Sequence, residues 1–187
     1  GTLRVGIDAD GGAPFVTSSS SASYAGIDVD MAAALADQLG LKLELVDVAG
    51  NASSALADGD VDIVMSQTST EKSSTMWVSD PYIETGVALF ASNGSTTVPE
   101  SVQASSIAAQ SSSTSAWAVQ NAFGDDALNP ASDLVSAFSL VETGKSQYVA
   151  ADAVIGSYAA LVQSVDVQPI ALLGSKGGYC IGVDSSN

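Results

Sequence analysis

Two runs of polar residues, each directly after a predicted strand, could bind a small molecule. The apolar, partly β-branched run Val61–Met65 is typical of a buried strand, and it gives way at once to the hydroxyl- and amide-rich run Ser66–Thr75. Leu3–Ile7 alternates like a strand and ends in the acidic, glycine-containing run Asp8–Gly12. Because open α/β sheets bind ligands beyond the carboxyl ends of their strands, both polar runs are predicted to border a binding site.

The residue types available limit the chemistry of such a site. The chain has no histidine, a single cysteine, Cys180, and a single arginine, Arg4, which lies inside the first predicted strand. Histidine-based acid–base catalysis is therefore excluded, and a zinc or copper centre is not expected. Cys180 lies in an apolar run, where a free cysteine is usually a small buried hydrophobe, so we predict no disulfide and no cofactor.

The charge balance excludes other classes of function. The 187 residues carry 21 Asp and Glu against 5 Lys and Arg, for a net charge of −16. Nucleic acids and anionic membrane surfaces both require clustered basic residues, so neither is an expected partner. No run of eighteen apolar residues occurs, so no membrane span is predicted, and a leader for export would lie outside this sequence.

The first half of the chain is predicted to alternate strands and helices. Asp28 or Asp30 can cap a helix whose core-facing positions Met31, Leu35 and Leu39 recur every four residues. Gly40 ends that helix, an alternating leucine strand follows it, and a short helix precedes the strand at 61–65. This βαβαβ order predicts a parallel sheet with helices on its faces.

The second half, which begins after a polar boundary near residues 91–99, repeats this mixture. The predicted strands are Ile107–Gln110 and Tyr148–Ala151, and the predicted helices are Trp117–Phe123, 134–141 with Ser132 as its cap, and Val154–Val162. The segment 124–130 contains Pro130 and makes a poor strand.

Four short motifs carry a resemblance to a known family. They are Asp8-Ala9-Asp10 with Pro14-Phe15, Gly26-Ile27-Asp28-Val29-Asp30-Met31, Ser79-Asp80-Pro81-Tyr82, and Gly178-Tyr179-Cys180-Ile181-Gly182-Val183. In this order and spacing the chain resembles the solute-binding proteins of amino-acid ABC transporters, the bacterial extracellular solute-binding proteins of family 3. The resemblance covers nearly the whole sequence.

The resemblance implies the type II periplasmic-binding-protein fold, an α/β architecture of two lobes. Each lobe would be a mostly parallel sheet flanked by helices, and two crossing strands would form the hinge. Lobe 1 is expected over residues 1–89 with 184–187 returning to it, and lobe 2 over residues 90–183. The C-terminal helices of the family have no counterpart in this sequence.

The resemblance also implies a set of ligand contacts. The candidates in lobe 1 are Asp10, Phe15, Ser66, Gln67, Thr68 and Lys72, and those in lobe 2 are Ser113, Thr114 and Asp152. Relatives carry an arginine near the place of Lys72 for the ligand carboxylate, and an aromatic residue near the place of Gly11-Gly12.

Several of these candidates have a second interpretation. Ser113 and Thr114 match a pair at a helix start that would bind the carboxylate, and Asp152 matches the acidic residue that would bind the ammonium group. Ser113, Thr114 and Asp152 could equally be ordinary helix caps, and Lys72 could be an exposed loop residue.

The function implied is that of an extracytoplasmic, monomeric protein that binds an amino acid by cleft closure and delivers it to the membrane permease of an ABC importer. It would not be an enzyme. Two alternatives stay open: a sensory or degenerate domain whose ligand site is altered or lost, and an enzyme like the cyclohexadienyl or arogenate dehydratases.

Overall fold

A computed structural model describes residues 1–18, 23–92 and 94–186. Contacts divide the chain into two units, Gly1–Glu84 with Gly177–Asn187, and Thr85–Lys176, so the chain passes between the units twice. The lobe boundaries expected from the sequence lie a few residues further along the chain, and Asn187 of the predicted 184–187 segment is outside the described residues.

The described chain contains thirteen strands and five α-helices. In order they are β1 (Thr2–Ile7), β2 (Thr17–Ser18), β3 (Tyr24–Ala25), α1 (Ile27–Leu39), β4 (Lys42–Asp47), α2 (Ala52–Ala57), β5 (Ile63–Gln67), β6 (Met76–Val78), β7 (Ile83–Thr85), β8 (Val87–Ser92), β9 (Ile107–Gln110), α3 (Thr114–Phe123), β10 (Leu128–Ala131), α4 (Leu134–Glu142), β11 (Tyr148–Asp152), α5 (Ala153–Gln163), β12 (Val167–Leu172) and β13 (Gly177–Asp184).

The main sheet of the first unit has the order β4-β1-β5-β13-β6, with β7 also paired to β13. Strands β1, β4 and β5 run parallel, as the βαβαβ pattern predicts, and β13 is antiparallel to β5 and β6. The core on the α1 side of this sheet includes Val5, Ile7 and Met65, and the core on the α2 side includes Leu56 and Val64. The parallel strands therefore bring the ends of β1 and β5 to the same edge of the sheet.

Helix α1 ends at Gly40, which is left-handed, as predicted, but only one of its three predicted core positions packs against the sheet. Its buried positions are Asp28, Ala32 and Ala36. Leu35 packs against the same core, as predicted, whereas Met31 and Leu39 are 39% and 56% exposed. Small alanine side chains let the helix lie close to the sheet, so Met31 and Leu39 are left outside. The predicted caps Asp28 and Asp30 are also wrong, because Gly26 is the N-cap and no side chain caps this end of the helix.

The second unit has a sheet of order β10-β9-β11-β8-β12 with helices α3, α4 and α5. Strands β9, β10 and β11 are parallel, and β8 is antiparallel to β11 and β12. Residues 88–91 of β8 are all buried, and the Phe90 ring meets the Phe138 ring of α4 edge-on at a centroid distance of 6.1 Å. The predicted strands and helices at 107–110, 117–123, 134–141, 148–151 and 154–162 are confirmed.

Two edge strands of this unit were not predicted. β10 begins in the segment 124–130, which was read as a poor strand, and it contains Pro130. β12 was missed, and it contains Pro169. A proline has no backbone N–H to donate, and an edge strand tolerates this because it pairs with a neighbour on one side only. The cap of α4 is Asp133, which accepts a hydrogen bond from the Ser136 N–H, and not the predicted Ser132.

Among the described residues, every helix is too short or too polar to cross a lipid bilayer.

Candidate functional site

A cavity of about 330 Å³ lies in the first unit beyond the ends of β1 and β5, where the sequence predicts a binding site. Seven of its lining residues carry polar or aromatic side chains: Asp8, Phe15, Asp28, Ser66, Gln67, Glu71 and Tyr179. Neither lysine nor arginine is among the described residues that line it. The cavity is therefore acidic, with three carboxyl groups and two rings.

Asp28 joins two of the sequence motifs through a buried hydrogen-bond network. The side chain of Asp28 is 1% exposed; its Oδ1 accepts from the Tyr82 hydroxyl at 2.6 Å and its Oδ2 accepts from the Ser66 hydroxyl. The Ser66 N–H donates to the Tyr82 hydroxyl at 2.9 Å. Ser66 has a φ of 56°, in the left-handed region, so these contacts fix it in an unusual conformation at the end of β5.

The network shifts the pKa values of two of its members. Burial raises the pKa of the Asp28 carboxyl above its usual range, and the hydrogen bonds from Ser66 and Tyr82 act in the opposite direction. Burial and the neighbouring Asp28 carboxyl raise the pKa of the Tyr82 hydroxyl, so that it remains a donor.

The Ser79–Tyr82 motif also attaches β13 to the sheet. The backbone N–H of Ser79 donates to the Ile181 carbonyl and its Oγ accepts from the Ile181 N–H, both at 2.9 Å. The Tyr82 N–H donates to the Tyr179 carbonyl at 2.9 Å. The motif therefore places Tyr179 at the cavity as well as completing the Asp28 network.

The remaining polar side chains of the cavity are held by local hydrogen bonds. Gln67 Nε2 donates to the Met65 carbonyl at 2.9 Å. Glu71 Oε2 accepts from the Thr68 N–H at 2.5 Å, and Asp8 Oδ1 accepts from the Asp10 N–H at 3.1 Å. Within the described part of the chain, no group of three His, Cys, Asp or Glu residues is arranged to hold a metal ion.

Two aromatic rings meet in the cavity lining. The centroids of Phe15 and Tyr179 are 4.3 Å apart and the ring planes are tilted by 51°. Phe15 is the ring expected from the sequence, whereas Tyr179 was missed because the motif that contains it was read only as a strand.

The structure separates the predicted contacts of the first unit into two groups. Phe15, Ser66 and Gln67 line the cavity, whereas Asp10, Thr68 and Lys72 are not among the described lining residues. Asp10 and Lys72 are exposed, and Thr68 forms a capping box with Glu71.

Arg4 is also unavailable to a ligand in this cavity. Its guanidinium binds the Asp62 carboxylate, with Nη2–Oδ1 at 2.7 Å and Nε–Oδ2 at 3.3 Å, and Nη1 donates to the Gly59 carbonyl.

Asp8, Asp28 and Glu71 line the cavity but were missed as candidates. Asp8 immediately follows β1, so the sequence carried a signal for it. Glu71 lies within the polar run 66–75 that was predicted to border the site, but it was not chosen as a contact. Asp28 was read as a helix cap, so no local pattern marked it as a cavity residue.

The predicted contacts of the second unit are engaged at helix starts. Ser113 Oγ accepts from the Ala116 N–H at 3.1 Å and donates to the Gln110 carbonyl at 2.6 Å. Asp152 Oδ1 accepts from the N–H groups of Val154 and Ile155, both at 2.9 Å, and its Oδ2 accepts from the Thr85 hydroxyl at 2.8 Å. The capping interpretation is therefore confirmed for Ser113 and Asp152, Thr114 is the first residue of α3, and a ligand role for all three stays a prediction.

Ser113 and Thr114 border an open cavity of about 650 Å³ in the second unit, next to the indole of Trp117, which is 66% exposed.

The sequence model of the bacterial extracellular solute-binding proteins, family 3, matches residues 3–168. The chain belongs to this family. As the family's description states, its members are extracellular proteins that bind solutes. The predicted family and the α/β fold class are thus confirmed.

Solved structures show the same fold. One structure of AncCDT-1, described as an ancestral cationic amino acid solute binding protein, is 26% identical, with 100% of this chain and 83% of that chain covered and a TM-score of 0.82. A second, described as a precursor of cyclohexadienyl dehydratase, is 27% identical over 99% of this chain and 82% of that one, with a TM-score of 0.64.

The unliganded L-cystine solute receptor of Neisseria gonorrhoeae is 24% identical over 100% of this chain and 81% of that chain, with a TM-score of 0.81. No curated protein matches the chain.

Proposed function

We propose that this protein binds an amino acid with a basic side chain outside the cytoplasm and delivers it to an ABC importer. The observation that carries the proposal is the acidic cavity of the first unit, with Asp8, Asp28 and Glu71 in its lining and no lysine or arginine among the described residues there. The chain is also similar to AncCDT-1, whose description names cationic amino acids.

The lining favours a cation for two physical reasons. Carboxylates in a partly enclosed space attract a positive group more strongly than they would in water, because the local dielectric is lower. The rings of Phe15 and Tyr179 add apolar surface for the aliphatic part of a ligand, and aromatic rings attract cations by about 0.5–2 kcal/mol.

The ligand's α-carboxylate needs different partners. Lys72, Ser113 and Thr114 stay the proposed ones, because an ammonium group and the N-terminus of a helix both favour an anion. Asp152 stays the proposed partner of the α-ammonium group, and Asp10 and Thr68 stay proposed contacts with the rest of the ligand.

The proposal is tested by calorimetry of the purified chain against each of the twenty common amino acids, with Asp8→Asn as the variant. We expect arginine or lysine to bind best, and Asp8→Asn to weaken that binding by about tenfold or more, since a charge-assisted hydrogen bond contributes about 1.5–3 kcal/mol. The matched control is Asp10→Asn, which removes an equal charge two residues away from an exposed side chain outside the cavity lining. If no amino acid binds, the proposal is wrong, and a sensory or degenerate domain becomes the better description.

An enzymatic role is the second candidate, because Glu71 places a possible acid in the cavity and AncCDT-1 is described as a precursor of a dehydratase. Incubation with prephenate and arogenate, followed by absorbance of the aromatic product, tests it. Product formation that is lost in Glu71→Gln would support catalysis, and its absence in the wild type leaves binding as the function.

A further inference from the structure

We propose that Asp28, without contacting the ligand, fixes the hydrogen-bond polarity of Ser66 and thereby makes the first-unit cavity selective for ligand groups that only donate. This inference rests on the proposed function and deepens it. According to this proposal, the buried residue Asp28 enables the site to distinguish a ligand with a cationic side chain from one with a neutral side chain.

The polarity follows from the number of protons in the network. Two hydroxyls, those of Ser66 and Tyr82, converge on the two oxygens of Asp28, and a carboxylate has no proton to give. Each hydroxyl has one proton, so both are used on Asp28. The Ser66 N–H is used as well, on the Tyr82 oxygen. Ser66 therefore has only lone pairs to offer to the cavity.

The neighbouring side chains also offer mainly acceptors. Gln67 uses one of the two N–H groups of its amide on the Met65 carbonyl, which leaves its oxygen as an acceptor and one N–H as a donor. Asp8 and Glu71 each use one carboxylate oxygen on a backbone N–H, and carboxylates offer only acceptors. Ser66, Asp8 and Glu71 thus present only acceptors at the ends of β1 and β5, and Gln67 presents an acceptor together with one donor.

A lining with an excess of acceptors selects between ligands of equal shape. A guanidinium group has five N–H donors and no acceptor, so it can donate to each of these oxygens. The ureido group of citrulline has the same outline, but one NH2 group, with its two N–H donors, is replaced by a carbonyl oxygen. Next to Ser66, Asp8 or Glu71 that oxygen would meet a lone pair, and a buried polar group left without a partner is strongly disfavoured.

Asp28 is well placed for this role because it cannot turn away from Ser66. It is almost fully buried on the sheet side of α1, and Tyr82 holds its second oxygen. The substitution Asp28→Asn keeps the shape and reverses the polarity. The new amide oxygen would still accept from Tyr82, whereas the new amide nitrogen would donate to Ser66 and release the serine proton toward the cavity.

The test measures the affinities of L-arginine and L-citrulline by calorimetry for the wild type, Asp28→Asn and Asp30→Asn. We expect the wild type to prefer arginine and the preference to fall by about tenfold or more in Asp28→Asn, because a hydrogen bond to a charged group is exchanged for an unfavourable contact. Asp30→Asn is the matched control, since Asp30 lies on the same helix but is exposed, and we expect the preference to be unchanged.

Other outcomes overturn the inference. A folded Asp28→Asn variant with the wild-type ratio of arginine to citrulline affinity would show that Asp28 does not set the polarity. So would an Asp30→Asn variant whose affinity ratio changes as much as that of Asp28→Asn. If thermal melting shows that Asp28→Asn is unfolded, the Ser66→Ala variant replaces it. We then expect a selective loss of arginine binding. An equal loss of affinity for arginine and citrulline would contradict the proposal. A wild type that binds both ligands equally well overturns this inference alone, whereas a wild type that binds no amino acid overturns the proposed function.

Discussion

At the scale of single residues, the lone arginine of the chain is used to support the fold. Arg4 donates to Asp62 through its backbone N–H and through two guanidinium nitrogens. These residues join β1 to the start of β5. An arginine at this place cannot also clamp a ligand carboxylate in the cavity, which explains why the carboxylate partners proposed above are a lysine and a helix N-terminus.

The Arg4–Asp62 pair predicts a loss of stability in acid. Hydrogen bonds from Arg4 hold the pKa of the Asp62 carboxyl below its usual range. The contribution of the ionised Asp62 carboxylate to folding stability is therefore full above the usual carboxyl pKa of about 4. It is lost as the pH falls through the lowered pKa. Urea unfolding between about pH 2 and pH 6 measures it: the stability difference between the wild type and Asp62→Asn should shrink toward low pH. A difference that is independent of pH would contradict the assignment.

The buried Asp28 carboxyl should give folding stability a pH dependence of the opposite sign. Its pKa is raised, mainly by burial, so the folded protein holds this proton more tightly than the unfolded chain. The resulting contribution to stability is full below the usual carboxyl pKa of about 4 and is lost as the pH rises through the raised value. Relative to the wild type, Asp28→Asn should therefore become more stable as the pH rises. The same urea series checks this, with Asp30→Asn as the control that should follow the wild type.

At the scale of elements, the start of α1 depends on one glycine. Gly26 has a φ of 123°, and a Cβ at this position would lie 2.4 Å from the Phe15 carbonyl oxygen. Gly26→Ala therefore combines a disfavoured conformation with a collision, and we expect it to lower the free energy of unfolding by about 3 kcal/mol or more.

The control for Gly26→Ala is Gly59→Ala. Gly59 has a φ of 74°, and a Cβ there would meet no atom within 4 Å, so that variant should lose only about 1 kcal/mol. Chemical denaturation of both variants measures the difference, and equal losses would show that the contact with Phe15 is not the cause.

The sequence predicted elements best where burial alone decides them. Strand β9 and most of β11 follow from continuous apolar runs, and the parallel order of β1, β4 and β5 follows from alternation with helices. Patterns failed where tertiary contacts decide. The packed face of α1 is set by alanines that approach the sheet, and β10 and β12 are strands only because a neighbouring strand pairs with them at an edge.

The candidate site was predicted in part for the same reason. The position of the cavity beyond β1 and β5 follows from the strand order, and Phe15, Ser66 and Gln67 are close to those strand ends in sequence. Asp28 and Tyr179 are far from each other and from both strand ends in sequence, and hydrogen bonds to Tyr82 hold them at the cavity. No local pattern contains that information.

At the scale of the whole molecule, the excess of acidic residues predicts a dependence on salt. With 21 acidic and 5 basic residues, the compact state repels itself, and added salt screens that repulsion. Because the Debye length falls from about 30 Å at 0.01 M to about 10 Å at 0.1 M salt, we expect the melting temperature to rise over this range. Thermal melts in sodium chloride and in choline chloride should show similar rises; a rise with sodium alone would indicate specific ion binding instead.

The position of β13 has a consequence for how the protein is made. This strand comes from the end of the described chain, yet it lies between β5 and β6 and closes the first unit's sheet, whereas the other unit is built from one continuous stretch. A ribosome or an export channel releases the chain from its N-terminus. The whole of Thr85–Lys176 therefore emerges, and can fold, before β13 is available to complete the sheet of residues 1–84. During that interval β5 and β6 lack their shared neighbour, which makes the segment a natural client for chaperones.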